Sequence, residues 1–344
     1  ELLNASGVRI SGGLWRDKFS KRYSGIPKVG IDENNSFRVN GELFFPIAPF
    51  MTNTVSFNTY INQASVNAVH TEGYYAAHTP STWVDYLNKA NASSLMAIGP
   101  GRGDYGVAPV PNRWMFNHNP DRMADYVQAG KDSPAMFAWI WQDEPNLGGR
   151  AQKTYPPTLA AWKYVCNTID SQHPAFNLFY GYSWSKYYGT NPSLEGYDYL
   201  SSAPFFGGKK WIQDIFSFDI YPIWYRLHPS LNLTDIGSYA VYLDTLDRMR
   251  SNNKDLVPIM PTLQPCREQP VDVDPRPNPG VSEAQVYLEA WMNVIHGAKG
   301  ITWFPLFDSS SVRWAAMKKF ADQMNVFAPV VLGPKPAISV TDNA

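Results

Sequence analysis

Cysteine is almost missing from the chain, with only Cys166 and Cys266 among 344 residues. No disulfide framework can therefore hold the fold, and burial of a large core has to do so. Charge is scarce and balanced as well. The 29 basic and 30 acidic side chains leave a net charge of -1, which gives no electrostatic footprint for nucleic acid or for an anionic membrane surface. Charged residues make up 17% of the chain, against about 25% in an average globular protein. A disordered, solvating chain is thereby excluded. No run of 18 apolar residues occurs, so no segment reads as membrane-spanning. Aromatic residues are what the sequence has in surplus. Its 12 Trp, 20 Tyr and 18 Phe offer flat groups suited to a core and to ligands with apolar faces and hydroxyl edges. The near-neutral balance suits partners of little charge, and carbohydrate is the obvious class.

Segments of strand character recur about every 35 residues. They are 43–50 (LFFPIAPF), 65–71 (SVNAVHT), 94–99 (SLMAIG), 136–141 (MFAWIW), 176–180 (FNLFY), 215–221 (IFSFDIY), 256–263 (LVPIMPTL) and 300–304 (GITWF). Their apolar runs are near-continuous, as in strands covered on both faces. Helical periodicity fills several gaps. Thr79-Pro80-Ser81 opens a helix with Trp83, Tyr86, Leu87 and Ala90 on one face and Asn91 at its stop. A second starts at Pro120-Asp121 and ends on Gly130 as a cap. A third, capped by Ser282, carries Val286, Leu288, Ala290, Trp291, Val294 and Ile295 as its apolar stripe. Eight such β/α units joined by right-handed crossovers predict an α/β fold, a (β/α)8 TIM barrel. An open doubly wound sheet is disfavoured, because no Gly-x-Gly-x-x-Gly follows the first strand. Residues 1–40 read as an N-terminal extension with a β-hairpin around Asn34-Asn35 across the barrel bottom. Residues 41–330 read as the barrel, and 331–344 as a linker or the start of a truncated C-terminal β segment.

In such a barrel chemistry stands at the C-terminal ends of the strands. There the sequence places His70 and Glu72 after the second strand, Trp141, Asp143 and Glu144 after the fourth, Asp219 and Tyr221 at the sixth, Gln264 and Glu268 after the seventh, and Trp303 at the eighth. Carboxyls and aromatic rings gather at these ends, while nucleophilic Ser/His pairs, Cys/His ligand clusters and phosphate loops do not. Paired carboxyls flanked by rings point to glycosidic chemistry. A carboxyl at 144 between Trp141 and Trp303 would be partly desolvated, which raises its pKa and suits a proton donor.

The run "FAWIWQDEPN" resembles the Asn/Asp-Glu-Pro signature of retaining clan A (β/α)8 glycoside hydrolases. "FSFDIYPI" is similar to their strand-six "D-x-YP", and "GAKGITWFPLF" to their strand-eight "GA-x-G-x-x-W". The resemblance spans most of residues 40–328. It implies that Glu144 is the general acid/base and that a Glu should end strand seven as nucleophile. The sequence departs there, with Gln264 in that place. Four readings stay open: a Glu-to-Gln substitution made to trap substrate, Glu268 reaching back, Asp219 as the partner carboxyl, or the substrate's own acetamido group oriented by Asp143. His70, Glu72, Trp141, Asp143, Tyr221 and Trp303 are the expected substrate-binding residues.

The expected partner is therefore a polysaccharide or oligosaccharide, cleaved by a secreted, monomeric hydrolase with no cofactor and no metal, in a longer chain that carries a further β-sandwich domain. A non-hydrolytic carbohydrate-binding barrel and a transglycosidase are the rival readings. Starting on Glu without a leader pattern fits a processed protein. Sequons at Asn4, Asn34, Asn91 and Asn232 are compatible with secretion. Both thiols are expected to be free. "RGD" at 102–104 reads as part of a glycine-rich rim loop, and the aspartates of "VDVDPRPNPG" lack the spacing of a calcium loop.

Overall fold

The computed structural model describes residues 28–50, 54, 57–71, 79–100, 120–143, 156–180, 213–219, 221–222, 257–263, 281–304 and 311–334, together with 239–240, 242–243, 246–247 and 250. Three short strands come first, β1 (Val29–Ile31), β2 (Phe37–Val39) and β3 (Glu42–Leu43), paired antiparallel in the order β1-β2-β3. The following elements alternate: β4 (Ile47–Pro49), α1 (Phe57–Ala64), β5 (Ala68–His70), α2 (Pro80–Ala92), β6 (Met96–Pro100), α3 (Pro120–Gly130), β7 (Met136–Asp143), α4 (Pro156–Ile169) and β8 (Ala175–Tyr180). Then come β9 (Ser217–Asp219), β10 (Thr262–Leu263), α5 (Glu283–Ile295), β11 (Ile301–Trp303) and α6 (Ser311–Leu332). Strands β4 to β11 form one eight-stranded sheet in the order β4-β11-β10-β9-β8-β7-β6-β5, with parallel pairings. This is a nearly closed TIM-type barrel.

A side chain does the work of a ladder at the seam between β4 and β5. The Asn67 backbone N–H donates to the Ile47 carbonyl at 3.3 Å. Its amide oxygen accepts from the Ile47 N–H at 2.8 Å, and its amide nitrogen donates to the Phe45 carbonyl at 2.9 Å. Buried backbone groups at the open edge are thus satisfied without a regular strand pair.

Each strand presents alternate residues to two different cores, as its pleat requires. Ala48, Phe50, Ala68, Ile98, Ala138, Ile140, Phe176, Leu178, Ile215 and Met260 fill the barrel interior. Ile47, Val69, Ala97, Trp139, Trp141, Phe179, Leu263, Ile301 and Trp303 pack outward with the helices. Both faces are buried, which is why the strands read as nearly unbroken apolar runs.

Helix α2 follows from its sequence closely. Thr79 and Thr82 form a capping box, Pro80 takes the first turn, and Trp83, Tyr86, Leu87 and Ala90 are its buried residues. It runs past Asn91 and stops at Ser93, where Ser94 adopts φ 56. Helix α5 is capped by Ser282 with Gln285 as its box partner. Its buried face is Val286, Glu289, Ala290, Met292 and Asn293, while Leu288 and Ile295 of the expected stripe are exposed. Two buried polar residues rotate the stripe, and Asn293 finds a partner in the Tyr242 hydroxyl.

The N-terminal sheet sits against the end of the barrel at which the strands begin. Asp32 organises its turn by accepting from the Asn34 and Ser36 N–H groups and from Arg38 Nε, and Asn35 takes φ 56. Phe37 packs edge-on to Phe137 with centroids 5.3 Å apart. The Val29 N–H donates to the Gln172 carbonyl, and the buried Ser36 hydroxyl donates to the Leu332 carbonyl at 2.6 Å. The α4–β8 turn that receives the hairpin is fixed by the buried Asp170. Its carboxyl accepts from Trp139 Nε1 at 2.7 Å and from the Gln172 N–H at 2.8 Å, with His173 Nδ1 at 2.8 Å. Cys166 is a buried free thiol whose pKa burial pushes well above its usual value, so it is an inert filler. Cys266 lies outside the described residues.

Candidate functional site at the carboxyl ends of the barrel strands

The residues that the sequence nominates converge on one end of this barrel. His70 closes β5, Asp143 closes β7, Asp219 closes β9 and Trp303 closes β11. Around the barrel β7, β8, β9 and β10 are consecutive neighbours. The chain therefore leaves for residue 144 and for residue 264 from strands three places apart, with Asp219 on a strand between them. Glu144, Gln264, Glu268 and Glu72 themselves lie outside the described residues. Asp143 is placed as a strand residue, in register with Leu178 of β8.

Asp219 is the described carboxyl at this end. On β9 and just before it, Phe216 and Phe218 pack outward with Tyr242 and Leu246, while Ile215 belongs to the interior core. By the same alternation Ser217 and Asp219 face the barrel axis. Asp219 pairs in register with Tyr180 on one side and Thr262 on the other. Only 5% of it is exposed, so an acidic group has been taken nearly out of water, which costs free energy unless it is used or compensated. It stands four residues beyond the register of Ile215, about 13 Å along the strand at roughly 3.3 Å per residue.

His70 faces the same interior. Its ring lies 4.1 Å from that of Phe50 in an edge-on arrangement and 6.4 Å from that of Phe176 across the barrel. Complete burial lowers its pKa to about 3, because the imidazolium would lose its hydration. At neutral pH the ring is an uncharged polar group. Phe50 continues the chain of rings to Phe304 at 5.2 Å, edge-on, and Phe304 stacks on Tyr221 at 6.1 Å with 25° between planes. Phe304 is partly exposed and Tyr221 is buried to 8%. Tyr221, the nominated subsite wall beyond β9, thus stands in an aromatic arc that also includes Phe50 and Phe304.

The two nominated tryptophans stand elsewhere. Trp303 is fully buried on the helix side of β11, edge-on to Phe320 of α6 at 5.9 Å. Trp141 stacks on Trp139 at 5.5 Å with 3° between planes, in the same outer layer. Neither ring faces the barrel interior, so the expected Trp141–Trp303 enclosure of a carboxyl is not formed there. Phe304, next in sequence to Trp303, points inward instead. Strand alternation is the signal that would have found it: once Trp303 faces out, its neighbour faces in. Asp143 and Trp303 therefore mark the strand ends, while His70, Asp219 and Tyr221 are the nominated side chains turned to the axis or grouped with its rings.

No protein-family model matches the sequence, and no match is found among curated proteins. Among solved structures the fold is similar to the β-glucuronidase of Ruminococcus gnavus in complex with uronic deoxynojirimycin, at 14% identity and TM-score 0.55, covering 87% of this chain and 52% of that one. It is also similar to the Faecalibacterium prausnitzii β-glucuronidase, at 13% identity and TM-score 0.54, covering 88% and 52%. The β-mannanase of the blue mussel Mytilus edulis matches at 11% identity and TM-score 0.51, covering 87% of this chain and 96% of that one. The chain spans about half the length of these glucuronidases. These likenesses establish the barrel fold.

Proposed function

We propose that the chain is a glycoside hydrolase that cleaves O-glycosidic bonds of a polysaccharide or oligosaccharide, with Glu144 as general acid. The observation that carries this reading is the buried Asp219, facing the axis at the barrel end where β7 closes with Asp143, the residue that precedes Glu144 in the sequence. Two carboxyls across a barrel mouth are the minimal equipment for glycoside cleavage, one to protonate the leaving oxygen and one to attack or to activate water. The aromatic arc of Phe50, Phe304 and Tyr221 offers the flat apolar surface that a sugar ring needs. Proteins of like fold named above are glycosidases by name, and the clan A resemblance of the "QDEPN" run points the same way.

In this mechanism Glu144 donates its proton to the glycosidic oxygen as the bond to the anomeric carbon lengthens. Asp219 is the leading candidate for the partner carboxyl, since a strand holds it more rigidly than a loop would hold Glu268. A separation near 5 Å would make it a nucleophile with retention, and about 6.5 to 9.5 Å would leave room for a water and inversion. Gln264 favours a second reading, a barrel that binds carbohydrate without cleaving it, because an amide is no nucleophile. Secretion, a monomeric state and a further β domain belong to the same proposal.

The deciding experiment is Glu144→Gln assayed for reducing-end release on a polysaccharide panel, with oligosaccharide binding followed by calorimetry. The expected result is a loss of about a thousandfold in kcat, within the range for general acid catalysis, with binding retained. Release at the wild-type rate removes Glu144 from the mechanism. The companion change Gln264→Glu separates the two readings: a large gain marks 264 as the nucleophile position, and no gain leaves Asp219 or Glu268 as the partner.

A further inference from the structure

We infer that the outer face of helices α5 and α6 is an interface with a second copy of this chain. The inference stands apart from the carbohydrate reading and replaces its monomeric state with a dimer. Five of the six large apolar side chains exposed among the described residues lie on these two helices: Leu288 and Ile295 on α5, and Val326, Phe327 and Val330 on α6. Each is between 47% and 77% exposed. They are also contiguous. Trp291 is partly buried one helical turn from both Leu288 and Ile295, and its ring meets Phe320 at 5.5 Å and Phe327 at 6.0 Å, both edge-on. Further along, Lys299 Nζ donates to the Val331 carbonyl at 2.6 Å, so the chain leaving α5 stays beside the end of α6. Val326 and Val330 stand four apart on α6, which sets them in one ridge next to Phe327.

Charge and area both favour a second copy as the occupant. The exposed face of α6 changes along its length. Lys318, Lys319, Asp322 and Asn325 solvate its first part, with Lys318 paired to Asp322 at 2.9 Å, and then Val326, Phe327, Pro329 and Val330 follow. A helix face left to solvent is polar throughout, and this one is not in its last two turns. The patch thus has an uncharged centre and, on α6, a rim of both signs, so a two-fold pairing of the patch with itself meets no single-sign repulsion. A net charge of -1 leaves the chain little long-range self-repulsion. The five side chains expose about 500 Å² of apolar surface, near the upper end of what a monomer carries. Two copies set face to face bury about 1,000 Å² from this patch alone, the size at which a specific interface begins, and the rim adds to it. Ser36 of the hairpin is bonded to Leu332 at the end of α6, which puts the apolar turns on the hairpin side of the barrel. Pairing there leaves both sets of strand ends open.

Sedimentation velocity of the full chain from about 1 to 100 μM, where a contact of this modest size dissociates, is the test. The expected result is a species of twice the chain mass that falls apart on dilution. Val330→Glu and Ile295→Lys each place an unpaired charge within the contact, and each should raise the dimer Kd by about a hundredfold or more. Both side chains are in water in the single chain, so the melting temperature of the dilute monomer should not change. Phe327→Ala, which adds no charge, should weaken the dimer by about tenfold. Tyr164→Glu is the control: Tyr164, the sixth exposed side chain, lies on α4, and its dimer Kd should match the wild type. A chain that stays monomeric up to about 100 μM overturns the inference. So does a dimer that survives Val330→Glu and Ile295→Lys combined, since it would use another face. Neither outcome bears on glycoside cleavage, which Glu144→Gln tests separately.

Discussion

His70 is a base in a place that cannot host a cation, and that has a consequence for stability. In the unfolded chain its imidazole takes up a proton as the pH falls through about 6.5. In the folded protein burial delays this to about pH 3. Between those values the unfolded state binds the extra proton, so stability falls with falling pH by up to about 1.4 kcal/mol per unit. Above pH 6.5 the residue contributes no slope. His70→Asn should therefore flatten the acid limb of a stability profile, measured by urea unfolding between pH 4 and 7, by about one proton. An unchanged slope would mean that His70 titrates normally in the fold. At this scale the sequence was legible for residue type and strand end, but not for face. His70 and Tyr221 were reachable from position alone. Trp303 was preferred to Phe304 for its size, and a strand with apolar residues on both sides gives no alternation by which to choose. The structure assigns the larger ring to the helix layer and the smaller one to the mouth.

Elements were more legible where packing agrees with local propensity. The four residues that define one face of α2 in the sequence are the four it buries. Helix α5 kept its cap but not its stripe, because Glu289 and Asn293 are buried and no hydropathy pattern announces a buried carboxyl. Gly130 shows a third case. It reads as a cap glycine, yet it ends α3 without a left-handed φ, and its lack of a Cβ serves a close approach. A Cβ there would stand 2.4 Å from Trp83 Nε1 and 3.1 Å from both Leu87 and Trp139 side-chain carbons. Two effects of opposite sign compete in Gly130→Ala. Helix propensity favours alanine by about 1 kcal/mol, while overpacking a filled core costs about 1–3 kcal/mol. Trp83 is fully buried and stacked on Tyr86, so it cannot yield, and the clash should win. A lower melting temperature for Gly130→Ala is expected by calorimetry, and a higher one would show that α3 can slide outward without loss.

Among the described residues the two ends of the barrel carry different groups. Carboxyls and rings stand where the strands finish, and the N-terminal hairpin stands where they start. The hairpin is tied at three separated points: Phe37 on Phe137 of β7, β1 on the α4–β8 turn through Gln172, and Ser36 on the last turn of α6. Elements distant in sequence thus share one plug, which argues for one cooperative unit rather than a barrel with an independent appendage. Phe37→Ala distinguishes these. Phe37 is fully buried in the interior core, so truncation should cost about 3–5 kcal/mol. In a single unit of this size that lowers one melting transition by roughly 4–7 °C, and the barrel melts with the hairpin. In a modular arrangement a small early transition would split away and the main one would stay in place. Because the change is at the opposite end from Asp219 and His70, KM for a hydrolysed glycoside should stay constant at temperatures below the melt. A shifted KM in a protein that still melts in one step would mean that the plug sets the geometry of the mouth through the interior layers, Phe137 and Phe176 up to His70, and not stability alone.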